Sequence, residues 1–189
     1  MRKNIIRLVF IALFAAIISA GAFIAVPIGP VPIVLQNMFT LLAGLVLGPF
    51  LGTAAVGLFL LAGAIGLPVF SNSGSSMELA RLLGPTGGYM FGYLLGAFAA
   101  GLIVCVPQQG VKTPVWRLAV AVAAGVLIVY VPGLIRLKYV LAIEWNQVWK
   151  AGFLPFIPGD ALKGVVAGLV APRLRRAFGR AVAANLLER

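Results

Sequence analysis

Histidine is absent from the 189 residues, cysteine occurs once, and aspartate and glutamate together number four. Without histidine the chain lacks the commonest metal ligand and the commonest general base, which argues against most hydrolases and metalloenzymes. Cys105 has no second cysteine to pair with, so no intramolecular disulfide can form. Set in an apolar stretch, it reads as a small buried apolar residue. Charge is scarce as well: 10% of residues are charged, against about a quarter in a soluble domain. A chain so poor in charge cannot cover a water-facing surface. An ATP-binding motif is missing too. The glycine-rich turn Gly84-Pro85-Thr86-Gly87-Gly88-Tyr89 does not end in the Gly-Lys-Ser/Thr of a phosphate-binding loop.

What the chain has instead is apolar residues, 62% of the total, and a mean hydropathy of +1.09. A span needs about 20 apolar residues to cross about 30 Å of hydrocarbon. Six spans and short loops use nearly the whole length, leaving no room for a soluble domain. Runs such as Gly44-Leu45-Val46-Leu47 do not alternate apolar with polar, which excludes a β-barrel. The expected fold is therefore all-α, a polytopic membrane protein with a single transmembrane domain over residues 1–189. Helices are predicted at about 5–24, 33–47, 51–67, 88–106, 116–135 and 155–170. Proline sets several boundaries, at Pro27 to Pro32, at Gly48-Pro49 and near Pro172.

The net charge of +11 is concentrated at the ends, in Arg2, Lys3 and Arg7 and in Arg173, Arg175, Arg176 and Arg180. That distribution is the positive-inside pattern and predicts both termini in the cytoplasm, in a cell-membrane protein without a nucleic-acid partner. Lys112 and Arg117 agree with it, whereas Arg136, Lys138 and Lys150 run against it. The basic start followed by an apolar run is read as a retained first span rather than a cleaved signal.

Asp160 and Lys163 stand out because they fall inside the last apolar segment. A charge at the bilayer centre costs roughly 3 kcal/mol or more, so such residues face a cavity or a partner. Three apart, they share a helix face, and Pro158-Gly159 ahead of them suits a helix start. Pairing near the interface with no further role is the plain alternative to solute binding. The turn holding Gly84, Thr86 and Tyr89 allows close backbone approach to a ligand, or serves simply as a tight turn. Arg81 and Glu78 form another pair three apart, compatible with a short helix. Asn72 lies in a serine-rich polar loop, and Gln36 and Asn37 enter the second helix as polar groups that need partners if buried. Ala12, Ala16 and Ala20 repeat every fourth residue along the first helix, a smooth groove for either internal packing or docking.

Gly29-Pro30-Val31-Pro32 with Gln36-Asn37, then Leu83-Gly84-Pro85-Thr86-Gly87-Gly88-Tyr89, then Pro158-Gly159-Asp160-x-x-Lys163 together resemble the BioY family. These are the biotin-specific S components, the substrate-binding membrane subunits of energy-coupling-factor vitamin transporters. The resemblance implies a six-helix fold with a pocket near the outer face, capped by the loops after the first and third helices. It implies biotin as substrate, its ureido ring near Asp160 and Lys163, and no cofactor. It extends the site to Arg81, Asn72, Tyr89, Gln36, Gly84 and Thr86. It implies docking on a transmembrane T component coupled to two cytoplasmic ATPases, with Ala12 and Ala16 matching the docking face. The chemistry of biotin fits these residues: Asp160 suits the two ureido N–H groups, Lys163 the carbonyl and Arg81 the carboxylate tail. Phe70, Tyr89 and Phe156 are candidate apolar walls. An S component for another vitamin would share this fold. A membrane-embedded transferase using Asp160 and Lys163 is disfavoured by the shortage of carboxylates, so an enzyme is not expected.

Overall fold

The computed structural model describes residues 2–26, 33–70, 78–105 and 113–187. The elements are α1 (Arg2–Ala22), β1 (Ala25–Val26), β2 (Ile33–Val34), α2 (Gln36–Leu47), α3 (Pro49–Ala64), α4 (Glu78–Leu83), α5 (Gly87–Val104), α6 (Val115–Leu141), α7 (Trp145–Gly152) and α8 (Ile157–Leu187). The two short strands pair antiparallel, Ala25 with Val34 and Val26 with Ile33.

α2 is apolar on nearly every side, and Thr40 to Leu47 is buried without interruption. Such a helix belongs in the middle of a bundle, and α2 contacts α1, α3, α5, α6 and α8. Gly48, at φ 84, turns the chain sharply and Pro49 starts α3 at once, so α2 and α3 form a tight helical hairpin. Lipid-facing positions are apolar: Phe50, Leu61, Phe91, Leu127, Leu162 and Leu169 are all exposed. Among the described residues, α1, α5 and α6 are long and apolar enough to cross a membrane, and α7 with α8, bent by 47°, makes a fourth candidate. α2 and α3 have 12 and 16 residues, reaching only about 18 and 24 Å at 1.5 Å per residue.

The α5–α6 contact is the most extensive in the fold. Gly88, Gly92 and Gly96, four apart, line the α5 side of it. A Cβ at these positions would lie 2.2 Å from the Pro132 carbonyl oxygen, 2.5 Å from that of Val129 and 2.6 Å from that of Gly125. Without hydrophobic driving force between helices in lipid, close backbone approach supplies the dispersion contacts instead. Ala12, Ala16 and Ala20 of α1 are exposed and take no part in this contact.

Two helices extend beyond the sequence pattern, and a short one forms between them. α6 passes through Pro132 to Leu141, so Arg136 and Lys138 lie in its last turns rather than in a polar connection. Arg136 donates to the carbonyls of Leu83 and Gly84, satisfying the end of α4, and Lys138 stands 5.2 Å from the ring centre of Trp145. α7 forms inside the same polar segment, started by a Glu144–Gln147 capping box. α8 passes through Pro172 to Leu187. Its extension is held because Phe178 packs edge-on against Phe10 at 4.9 Å and Arg175 is buried, not part of an exposed basic tail. Arg175 donates to the carbonyls of Leu45, Val104 at 3.1 Å and Cys105 at 2.9 Å. These are orphan acceptors at the ends of α2 and α5, where the helix dipoles favour a cation. Cys105 itself is exposed, contrary to the buried position expected from its apolar context.

Gly92→Ala is expected to destabilise the protein by about 1–3 kcal/mol through forced separation of α5 and α6. Gly57→Ala is the control, because a Cβ there meets only Leu94 at 3.9 Å. Melting in detergent checks this: a lowered midpoint for Gly92→Ala alone is the expected result.

Candidate functional site

Four elements meet around one cavity at the end of the bundle that carries the β1–β2 hairpin. The start of α2 supplies Gln36 and Asn37, α5 supplies Tyr89, Met90 and Tyr93, α6 supplies Val129 and Tyr130, and α8 supplies Asp160 and Lys163. Val34, Thr86 and Phe156 complete the lining of this cavity, which is partly open to solvent. A smaller cavity continues past Asp160, lined by Thr40, Leu41, Gly96, Ala97, Gly125 and Val126.

Asp160 and Lys163 are 7% and 8% exposed and lie 3.0 Å apart in an ion pair within the first turns of α8. Asp160 Oδ1 accepts from Lys163 Nζ and from Asn37 Nδ2 at 2.8 Å, and Oδ2 accepts from the Tyr130 hydroxyl at 2.5 Å. A carboxylate has about four acceptor sites, so these donors leave Oδ2 with capacity for one more. Lys163 has three protons and spends all of them, on Asp160, on Asn37 Oδ1 at 3.1 Å and on the Val34 carbonyl at 2.7 Å. Asn37 therefore bridges anion and cation with its two amide atoms. Its backbone carbonyl in turn accepts from Thr40 at 2.8 Å.

Tyr89 and Tyr130 form one wall. Their rings meet edge-on at 6.1 Å, and Phe153 closes on Tyr130 at 4.7 Å. The Tyr89 hydroxyl donates to the Gly152 carbonyl at 2.8 Å, tying α5 to the end of α7. Gly133 faces the Tyr89 ring so closely that a Cβ there would lie 2.4 Å from it. Gln36 is 1% exposed, and its Nε2 has no partner, alone in this among the described buried side-chain nitrogens and oxygens. Such a donor costs about 1–3 kcal/mol when left unsatisfied.

The expected residues thus divide. Asp160, Lys163, Gln36, Tyr89, Thr86 and the candidate wall Phe156 line the cavity; Arg81, Gly84 and Phe70 do not. Thr86 and Arg81 are neighbours, the Thr86 hydroxyl lying 3.5 Å from the Arg81 carbonyl. Phe70 is fully buried against Phe59, with ring centres 5.2 Å apart. Asn72 and the Glu78 side chain lie outside the described residues. Ala12, Ala16 and Ala20 are all exposed on α1, away from the site. Tyr130 was missed by sequence reasoning, since a tyrosine in an apolar run reads as core. Asn37 was recognised only as a polar group in need of a partner.

A helical membrane bundle whose largely apolar cavity holds a buried, charge-neutral ion pair has the architecture of a solute-binding membrane subunit. Residues 1–180 match the model of the BioY family, and the chain belongs to that family. It is 41% identical over 170 residues to the biotin transporter BioY of Thermotoga maritima, covering 90% of this chain and 96% of that one. To the biotin transporter BioY of Rhodobacter capsulatus it is 40% identical over 184 residues, covering 90% and 92%. Its fold is similar to the crystal structure of the S-component for biotin from an ECF-type ABC transporter, with a TM-score of 0.80, 34% identity and 93% of each chain covered. These relatives are transporters rather than enzymes, and the chain is an integral membrane protein.

Tyr130→Phe removes one of three donors to Asp160 without changing the ring. A hydrogen bond to a charged group contributes about 1.5–3 kcal/mol, so the melting midpoint of the empty protein in detergent is expected to fall. An unchanged midpoint would contradict the clamp.

Proposed function

We propose that this chain captures biotin at the cell membrane as the substrate-binding S component of an ECF-type transporter. The observation that carries the reading is the likeness, over 93% of both chains, to the S-component for biotin. The cavity supports it chemically. The free acceptor capacity of Asp160 Oδ2 suits a ureido N–H, and Tyr89, Tyr130 and Phe156 supply aromatic walls for a fused ring system. Arg81 is the candidate partner for the carboxylate tail, with Gly84, Thr86 and Asn72 contributing to that end of the site.

In this reading α1, α2, α3, α5, α6 and α8 are six spans of a single domain over residues 1–189, and both termini face the cytoplasm. The basic residues at both chain ends support that orientation. The hairpin, α4 and α7 then lie on the outer side with the cavity, and Gly48-Pro49 and Arg175 on the inner side. The partners are a transmembrane T component and two cytoplasmic ATPases. The exposed Ala12, Ala16 and Ala20 supply the smooth face on which another helix docks.

Asp160→Asn is expected to insert normally and to bind biotin at least about tenfold more weakly, as a charge-assisted hydrogen bond is exchanged for a neutral one. Wild-type affinity in that variant removes Asp160 from the site. Ala16→Trp is expected to leave biotin binding unchanged and to abolish co-purification with the coupling subunits. Intact co-purification would contradict docking through α1.

A further inference from the structure

Three helices bring polar side chains to the cavity near their starts and are joined again far from it. α2 begins with Gln36 and Asn37, α5 carries Tyr89 and Tyr93 in its first two turns, and α8 carries Asp160 and Lys163. Away from the cavity a single side chain links the same three. Arg175 is 6% exposed and lies about 22 Å along α8 from Asp160. It donates to the carbonyls of Leu45 on α2, Val104 at the end of α5 and Cys105 just past that end. Cys105 sits at φ 60 and ψ 172, a region of backbone space almost reserved for glycine. Such a conformation persists only where its surroundings hold it. Here two arginines do so, Arg175 on the Cys105 carbonyl at 2.9 Å and Arg117 on its sulfur at 3.2 Å. The end of α5 is therefore a strained terminus restrained by a side chain of α8.

We propose that Arg175 is a positioning residue that couples occupancy of the cavity to the conformation of the far end of α5. The clasp holds the binding arrangement of α2, α5 and α8, and a bound ligand in turn tightens the clasp. This rests on the reading that biotin occupies the cavity. A ligand touching all three helices fixes their starts relative to one another, while Arg175 fixes them at the far side. Each restraint lowers the entropy cost of the other, which is positive coupling without any large movement. Arginine suits the task because its donors sit on separate nitrogens of a rigid fork and reach carbonyls on both helices. A lysine gathers its donors on one nitrogen.

Cys105 is the only thiol in the chain and is exposed, so its alkylation reports the state of the terminus. It follows Tyr89 by about 24 Å of helix, too far for a ligand in the cavity to shield it. The test follows alkylation of Cys105 by a water-soluble maleimide in the detergent-purified protein, with and without saturating biotin. Biotin affinity is measured alongside for wild type and Arg175→Lys. Biotin is expected to slow the wild-type reaction by about fivefold or more, the usual lower range of coupling between sites. Coupling is reciprocal, so Arg175→Lys is expected to bind biotin about fivefold or more weakly and to lose the biotin-dependent protection of Cys105. A wild-type protein that binds biotin yet is alkylated at one rate overturns the coupling and leaves the biotin reading standing; this comparison needs no variant. An Arg175→Lys protein that melts lower but keeps wild-type affinity and protection has lost only packing, and that result also overturns the assignment. A wild-type protein that melts cooperatively but binds no biotin overturns both.

Discussion

A carboxylate and an ammonium withdrawn from water inside a lipid-embedded bundle must find every partner within the protein, and the architecture follows from that requirement. Burying such a pair costs several kcal/mol per ion unless geometry and additional hydrogen bonds offset it. Here the offset comes from Asn37 on α2, Tyr130 on α6 and the Val34 carbonyl on the hairpin. The same bonds that solvate Asp160 and Lys163 therefore clasp the start of α8 to three other elements. Solvation of the pair and assembly of the cavity are one event.

About four turns further along α8 a second charge does comparable work with different chemistry. Arg175 faces no carboxylate among the described residues; its acceptors are the terminal carbonyls of α2 and α5. Backbone groups in a membrane protein have no water to fall back on, so a guanidinium with five donors suits two helix ends at once. Between these two clasps, glycine on α5 brings α6 to backbone contact. The cavity is bordered by elements fixed in this way, which is the condition for a preorganised binding site.

Legibility in the sequence varied with how sharply a residue contrasts with its surroundings. Asp160 and Lys163 are visible because charges in an apolar run have few explanations. The Gly48-Pro49 break is visible because the dipeptide permits little else. Tyr130, by contrast, is an aromatic among aliphatics, and nothing in its local pattern tells a hydroxyl aimed at a carboxylate from a core ring. Proline misled at Pro172, where the helix continues to Leu187; Pro132 lies inside its helix as expected. In water a proline usually ends a helix, but in lipid an ended helix strands backbone groups, so continuation with one lost bond is the better outcome. Arg175 was read with its basic neighbours as surface charge, and only the fold reveals the carbonyls it serves. The Lys163 proton count belongs in the same group, since spacing alone does not tell which acceptors come from α2.

Calorimetric titration of the purified wild-type protein in detergent with biotin, and with other vitamins in parallel, tests the central claim most directly. The account predicts saturable binding of biotin at one site per chain and no heat from the other vitamins at the same concentrations. A cooperatively melting sample that takes up a different vitamin and ignores biotin would contradict it.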